Sequence, residues 1–148
     1  MNAPNVLNIR TSIIGPNPFK KKGLLEWFLA QSDGAVIKGF TNHTWNGVTT
    51  LQFAQLCEKI IGTDTFNILR SESHALHFAP NIPVTKYELL GLFQTVYSKN
   101  VRIEPVEDPR GSVERVLTTN YEGIKKIFPH GGNMEEALKE LNQLISSP

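Results

Sequence analysis

The sequence predicts one domain of alternating α and β elements. Three patterns carry that reading: short β-branched runs, a helix-start signature that recurs four times, and Pro, Gly and Asn turns between them. The chain has 148 residues, of which 40% are hydrophobic and 9% aromatic, enough for one core. No internal repeat, low-complexity tract or long polar linker divides it, so residues 1–148 read as a single domain or part of one.

Val6 to Ile14 is nearly apolar throughout and stops at Gly15-Pro16-Asn17-Pro18, as a strand covered on both faces would. After Lys20-Lys21-Lys22, the pairs Leu24/Phe28 and Leu25/Leu29 predict a short buried helix over 24–31, closed by Ser32-Asp33-Gly34. Ala35 to Phe40 and Thr44 to Val48 predict two strands joined as a hairpin around Thr41-Asn42-His43. A side-chain cap satisfies the orphan amides of a first helical turn. Its signature, Ser/Thr/Asn followed three residues on by Glu/Gln, occurs at Thr49/Gln52, Thr85/Glu88, Thr119/Glu122 and Asn133/Glu136. Four further helices are expected: Leu51 to Ile61, Tyr87 to Tyr97, Tyr121 to Phe128 and Met134 to Ile145. Between them Phe66 to Leu69, Ala75 to Phe78 and Val101 to Val106 read as strands.

Fifteen Lys and Arg against 14 Asp and Glu give a net charge of +1, too little field to hold a nucleic acid or an anionic membrane surface. No apolar run reaches the roughly 20 residues of a membrane span, and Met1-Asn2-Ala3-Pro4-Asn5 lacks the features of a signal peptide. The single Cys57 excludes an internal disulfide and any multi-cysteine zinc site. The expected compartment is the cytoplasm, with neither nucleic acid nor membrane as partner.

No phosphate-binding Gly-rich loop, nucleophile elbow or His-Glu-x-x-His is present. His74 and His77 with Glu72 lack a third histidine or cysteine nearby, so they read as solvated or hydrogen-bonding residues, and no metal site is expected. Cys57 reads as a small core residue, because no neighbouring histidine would make it a thiolate. Lys20-Lys21-Lys22 reads as a solvated loop. Tyr121 and Lys125 have the Tyr-x-x-x-Lys spacing that puts a phenol and an ammonium on successive helix turns. Gly123 between them and their place near the chain's end favour a capping-turn tyrosine and a surface lysine. Arg110 and Arg115, between a strand and a capped helix, either fork onto a phosphate or form salt bridges with Asp108 or Glu114. Trp45 either stacks on a base or sugar or belongs to the core.

The motifs Val6-Leu7-Asn8-Ile9-Arg10-Thr11-Ser12-Ile13-Ile14-Gly15-Pro16, Trp45-Asn46-Gly47-Val48-Thr49-Thr50-Leu51, His77-Phe78-Ala79-Pro80 with Val84-Thr85-Lys86-Tyr87-Glu88-Leu89-Leu90, and Glu114-Arg115-Val116-Leu117-Thr118-Thr119 form an ordered series. Over nearly the whole chain this series resembles the C-terminal, substrate-binding half of extended short-chain dehydrogenase/reductases acting on nucleotide sugars. The branch it resembles is that of the dTDP-dehydrorhamnose reductases and the sugar-nucleotide epimerases and dehydratases. The resemblance implies an α/β fold: one strand of a Rossmann-type parallel sheet plus a small mixed α/β substrate lobe. It implies that Thr11, Ser12 and Ile13 lie near a nicotinamide, that Arg115 contacts the diphosphate of a nucleotide sugar, and that Trp45 is an aromatic following a pair that is Arg-Asp in the family. Here that pair is His43-Thr44.

In the family the Gly-rich dinucleotide fingerprint and the catalytic Tyr-x-x-x-Lys stand upstream of the matching region. The expectation is therefore a nucleotide-sugar-binding portion, with no catalytic residue of its own, of an enzyme using NAD or NADP. It would need an N-terminal half, a partner chain or self-association to cover its first strand. The rivals are a standalone nucleotide-sugar-binding or regulatory module, and a small enzyme that uses Tyr121 and Lys125.

Overall fold

A computed structural model describes residues 5–17, 19–129 and 131–146. The expected N-terminus at Met1 to Pro4 and the Pro18 end of the first turn lie outside these residues. Six helices and nine short strands alternate among them, as the sequence predicts for an α/β chain. The strands are β1 (Asn8–Arg10), β2 (Ile13–Ile14), β3 (Ala35–Phe40), β4 (His43–Trp45), β5 (Val48–Thr49), β6 (Ala75–His77), β7 (Val84–Thr85), β8 (Val101–Val106) and β9 (Val113–Arg115). The helices are α1 (Leu24–Leu29), α2 (Thr50–Ile61), α3 (Thr65–Glu72), α4 (Lys86–Val96), α5 (Glu122–Ile127) and α6 (Met134–Ser146).

The strand expected over Val6 to Ile14 is two strands. β1 runs parallel to β6, with Ile9 opposite Leu76, and β2 runs parallel to β5, with Ile13 opposite Val48. The chain changes partner at Thr11 and Ser12. The Phe78 amide donates to the Arg10 carbonyl at 2.9 Å, and the Val48 amide donates to the Ser12 carbonyl at 2.8 Å. Full coverage of both faces is not found: Val6 and Ile13 keep 45% and 50% of their surface exposed, while Ile14 is buried. Gly47 permits the switch, because a Cβ there would stand 2.1 Å from both the Ser12 carbonyl oxygen and the Trp45 ring.

The expected hairpin does not form. β3 pairs in parallel with β8 over its full length, from Ala35 opposite Val101 to Phe40 opposite Val106. β4 instead lies between β7, antiparallel, and β9, parallel. The Thr41-Asn42 turn is held by that distant neighbour: Asn42 Nδ2 donates to the Asp108 carbonyl at 3.2 Å and Asn42 Oδ1 accepts from the Asp108 amide at 2.9 Å.

The capping boxes at Thr49/Gln52 and Thr85/Glu88 are complete in both directions and start α2 and α4. At Asn133 the side chain accepts from the Glu135 amide at 2.8 Å. The box expected at Thr119/Glu122 is absent. Tyr121 is the N-cap of α5 without a side-chain cap bond, and the Glu72 carboxylate, from the end of α3, accepts from the Gly123 amide at 2.9 Å. Phe66 to Leu69, expected as a strand, belongs to α3; Leu69 is buried and Ile68 is 56% exposed, a one-sided helical pattern.

Two cores result. One joins α1, β3, α4, β8 and α6 through Phe28, Ile37, Leu90, Phe93, Val101 and Leu138. The other joins α2, α3, β6 and α5 through Leu56, Leu69, Leu76, Phe78 and Ile124. Between them runs a buried polar joint in which Asn81 Nδ2 donates to the Gly47 carbonyl at 2.8 Å and exchanges hydrogen bonds with the Gln52 side chain. No described helix is long and apolar enough to cross a membrane.

Candidate functional site

A cleft of about 420 Å³ opens where β2, β4 and β9 meet the starts of α1 and α4. That size falls within the usual range of small-molecule sites. Its position follows from the β4–β9 pairing, which sets Trp45 opposite Arg115 and His43 opposite Val113. Alternate residues of a strand share a face, so His43 and Trp45 on one strand and Val113 and Arg115 on the other line one wall. The stretch after β9 is clamped to β4: the buried Asn46 donates to the Leu117 carbonyl and accepts from the Leu117 amide, both at 2.9 Å. Ile13, Ile14, Leu24 and Leu89 give apolar lining, Phe40 a second ring, and Lys86 and Arg110 two more cations.

The indole of Trp45 is fixed by its Nε1, which donates to Ser12 Oγ at 2.6 Å. Trp45 also packs against the first core, which was one of its two sequence readings. The Arg110 guanidinium forks onto Asp108, with Nε 3.0 Å from Oδ1 and Nη2 2.8 Å from Oδ2. That hydrogen-bonded guanidinium, above all, holds the Asp108 carboxyl well below the usual carboxylate range, and the carboxylate in turn pushes Arg110 up. Arg110 thus makes the salt bridge that was one of its two readings, while its side chain remains 83% exposed at the cleft. Arg115 forms no ion pair among the described residues and is free for an anion. Lys86 Nζ sits 5.3 Å from the centroid of the Phe40 ring.

Of the residues singled out in the sequence, Ile13, Trp45, Arg110 and Arg115 come together in this cleft, and Ser12 supports it through Trp45. Thr11 does not line it; its hydroxyl donates to the Phe78 carbonyl at 2.7 Å. Lys86, Phe40 and His43 were not marked as ligand contacts by the sequence. Lys86 directly follows the capping Thr85, a helix-start position that places it near whatever precedes the helix, but what precedes it in space is fixed by strands far away in sequence.

The other constellations lie outside this cleft. Lys125 Nζ pairs with Glu122 Oε1 at 2.6 Å, and Tyr121 packs against the second core. His77 Nδ1 lies 3.0 Å from the Thr118 carbonyl, and no group of three or more His, Cys, Asp or Glu that could hold a metal occurs among the described residues. Cys57, expected in the core, is only half-buried on α2 and belongs to neither core, because it sits beside rather than on the Leu56–Ile60 face; Lys20, Lys21 and Lys22 are exposed.

No family model matches the chain and no curated protein does. Solved structures do. The dTDP-4-dehydrorhamnose reductase of Yersinia enterocolitica aligns over 93% of this chain and 48% of its own, with a TM-score of 0.67 and 18% identity. The dTDP-4-dehydrorhamnose reductase of Bacillus anthracis, solved in complex with NADP, aligns over 94% of this chain and 48% of its own, with a TM-score of 0.63 and 14% identity. The UDP-N-acetylglucosamine 4-epimerase of Methanobrevibacter ruminantium, solved in complex with UDP-N-acetylmuramic acid, aligns over 93% and 44%, with a TM-score of 0.55 and 16% identity. The chain therefore spans about half the length of the structures it matches, and its fold is similar to that of about half of these reductase and epimerase structures.

Proposed function

We propose that the chain forms the nucleotide-sugar-binding portion of an NAD(P)-dependent sugar-nucleotide reductase, epimerase or dehydratase. The observation that carries the reading is the cleft itself, where the unpaired Arg115 and the anchored Arg110 flank the fixed indole of Trp45. A nucleoside diphosphate linked to a sugar has matching chemistry: a flat base for an aromatic wall, a dianion for guanidinium groups, and a polar ring beyond. The names of the structural relatives point to the same ligand class. In this reading Arg115 is the principal diphosphate contact and Arg110 the second. Binding energy collected there holds the sugar ring in place for chemistry performed with a half that this chain does not span.

The nicotinamide of NAD or NADP would supply hydride transfer. What this chain offers it is limited by the hydrogen bonds in hand. The Thr11 hydroxyl donates to the Phe78 carbonyl and the Ser12 hydroxyl accepts from Trp45, while the half-exposed Ile13 side chain is suited to the apolar face of a ring. Thr11 and Ser12 then act by fixing the backbone that presents Ile13. The reading implies a cytoplasmic protein with an N-terminal half or a partner chain beside β1 and β2.

Every cleft residue named belongs to this chain, so binding is testable on it directly. Titration calorimetry with dTDP and with UDP tests the reading, with thymidine and uridine as controls. The diphosphates bind and the nucleosides bind far more weakly. Arg115→Ala loses roughly 10- to 100-fold in affinity for the diphosphate, the worth of a hydrogen bond to a charged group. Absence of diphosphate binding, or an unchanged affinity in Arg115→Ala, overturns the reading.

A further inference from the structure

His43 occupies the cleft wall in a setting that its neighbours Arg110 and Arg115 lack. Its ring stacks on Phe40, with centroids 4.5 Å apart and planes tilted by 33°. On its other side Nε2 lies 3.1 Å from Asp108 Oδ2 without the geometry of a hydrogen bond, a contact that becomes an ion pair only when the ring carries a second proton. The His43 side chain is 19% exposed and that of Asp108 4%. A charge so far out of water is tolerated when a counter-charge stands beside it. Asp108 is that counter-charge, and the buried Nε2 beside it has no hydrogen-bond partner among the described residues.

The charged groups around His43 come from three elements: Asp108 and Arg110 in the loop between β8 and β9, Arg115 on β9, and Lys86 at the start of α4 beyond Phe40. Asp108 cancels much of the Arg110 charge at contact distance. The field that an anion meets in the cleft therefore comes mainly from Lys86 and Arg115, and a proton on His43 adds a third net charge. Imidazole is the side chain that changes charge between about pH 5 and 8, whereas the other side-chain types here do not.

We infer that His43 is a proton-gated anion-recognition residue: protonated against Asp108 it joins Arg115, Lys86 and Arg110 on the diphosphate, and neutral it leaves the anion to them. This rests on the nucleotide-sugar reading above and adds to it a residue and a pH dependence.

The test is calorimetric titration of the chain with dTDP-glucose from pH 8 to pH 5.5. Both phosphates of that probe are esterified, so its own charge stays constant over the range. Wild-type affinity rises about tenfold as the pH falls, the order expected for one added charge-assisted contact. His43→Gln binds at the weaker, high-pH level throughout. His43→Arg binds tightly at every pH, and its rescue separates loss of charge from loss of fold. Parallel pH profiles for wild type and His43→Gln overturn the inference and leave the nucleotide-sugar reading standing. No binding of dTDP-glucose or UDP-glucose by any of the three proteins at any pH removes both.

Discussion

Arg110 and Arg115 stand five residues apart in sequence and play different parts, and the difference is set by Asp108. Its carboxylate accepts from the Arg110 amide at 3.0 Å as well as from the guanidinium, and it lies against His43, so one buried side chain fixes the loop and two cleft residues at once. Its carboxyl is held low in the folded state, chiefly by Arg110. For an acid depressed in this way, the stabilisation is complete above the unfolded-state value, near pH 4, and is lost as the pH falls from there toward the folded-state value. Asp108→Asn is therefore expected to lower the melting temperature at pH 8, and the gap to wild type is expected to narrow as the pH falls below about 4. Thermal melts of both proteins at pH 8 and from pH 5 to pH 3 check this, and a gap that does not narrow below about pH 4 contradicts it. The pairing of Asp108 with Arg110 was one of two alternatives open in the sequence, since a two-residue spacing allows it without requiring it. The approach of His43 was hidden, because it depends on β4 lying beside β9.

Local physics explains which elements were legible. At Thr49/Gln52 and Thr85/Glu88 every atom of the cap lies within four residues, so the sequence contains the whole interaction and both helices start where expected. At Thr119/Glu122 the same pattern is present, but Glu72, 51 residues away in sequence, supplies the acceptor for Gly123. The hairpin expected at Thr41 to His43 failed for the same reason. β3 and β4 each find better partners in strands that come more than 30 residues later, and turn residues alone cannot reveal that. The caps therefore predict a graded result. Thr49→Ala and Thr85→Ala each cost about 1 kcal/mol in denaturant unfolding, the usual worth of an N-cap. Thr119→Ala, whose hydroxyl only accepts from the Tyr121 amide at 3.3 Å, costs well under half of that, whereas Glu72→Ala, which removes the acceptor for the Gly123 amide, costs more than Thr119→Ala. An equal loss at Thr119 and Thr49 would contradict the assignment of Glu72 as the cap of α5.

The two cores meet at a buried polar joint centred on Asn81, which is 3% exposed. It donates to the Gly47 carbonyl in the turn that supports Trp45, and it exchanges hydrogen bonds with Gln52, the capping-box residue of α2. Its own backbone is bridged to Gly132, just ahead of α6. A single side chain thus ties the cleft wall, a helix of the second core and the entry to a helix of the first. Replacing it with alanine strands the Gly47 carbonyl and part of the Gln52 amide in a buried place. Each stranded group costs about 1–3 kcal/mol, far more than a satisfied bond contributes. Asn81→Ala is expected to lose about 3 kcal/mol and to melt roughly 6–12 °C lower, given the response of about 2–4 °C per kcal/mol for a domain near this size. Native-state hydrogen exchange gives the sharper check. If Asn81 couples the cores, amides of α2 and α6 lose protection together in the variant, while the β3–β8 amides, which lie within the first core, keep theirs until global unfolding. Loss confined to residues next to position 81 would mean that apolar contacts between α2 and α6 carry the coupling instead.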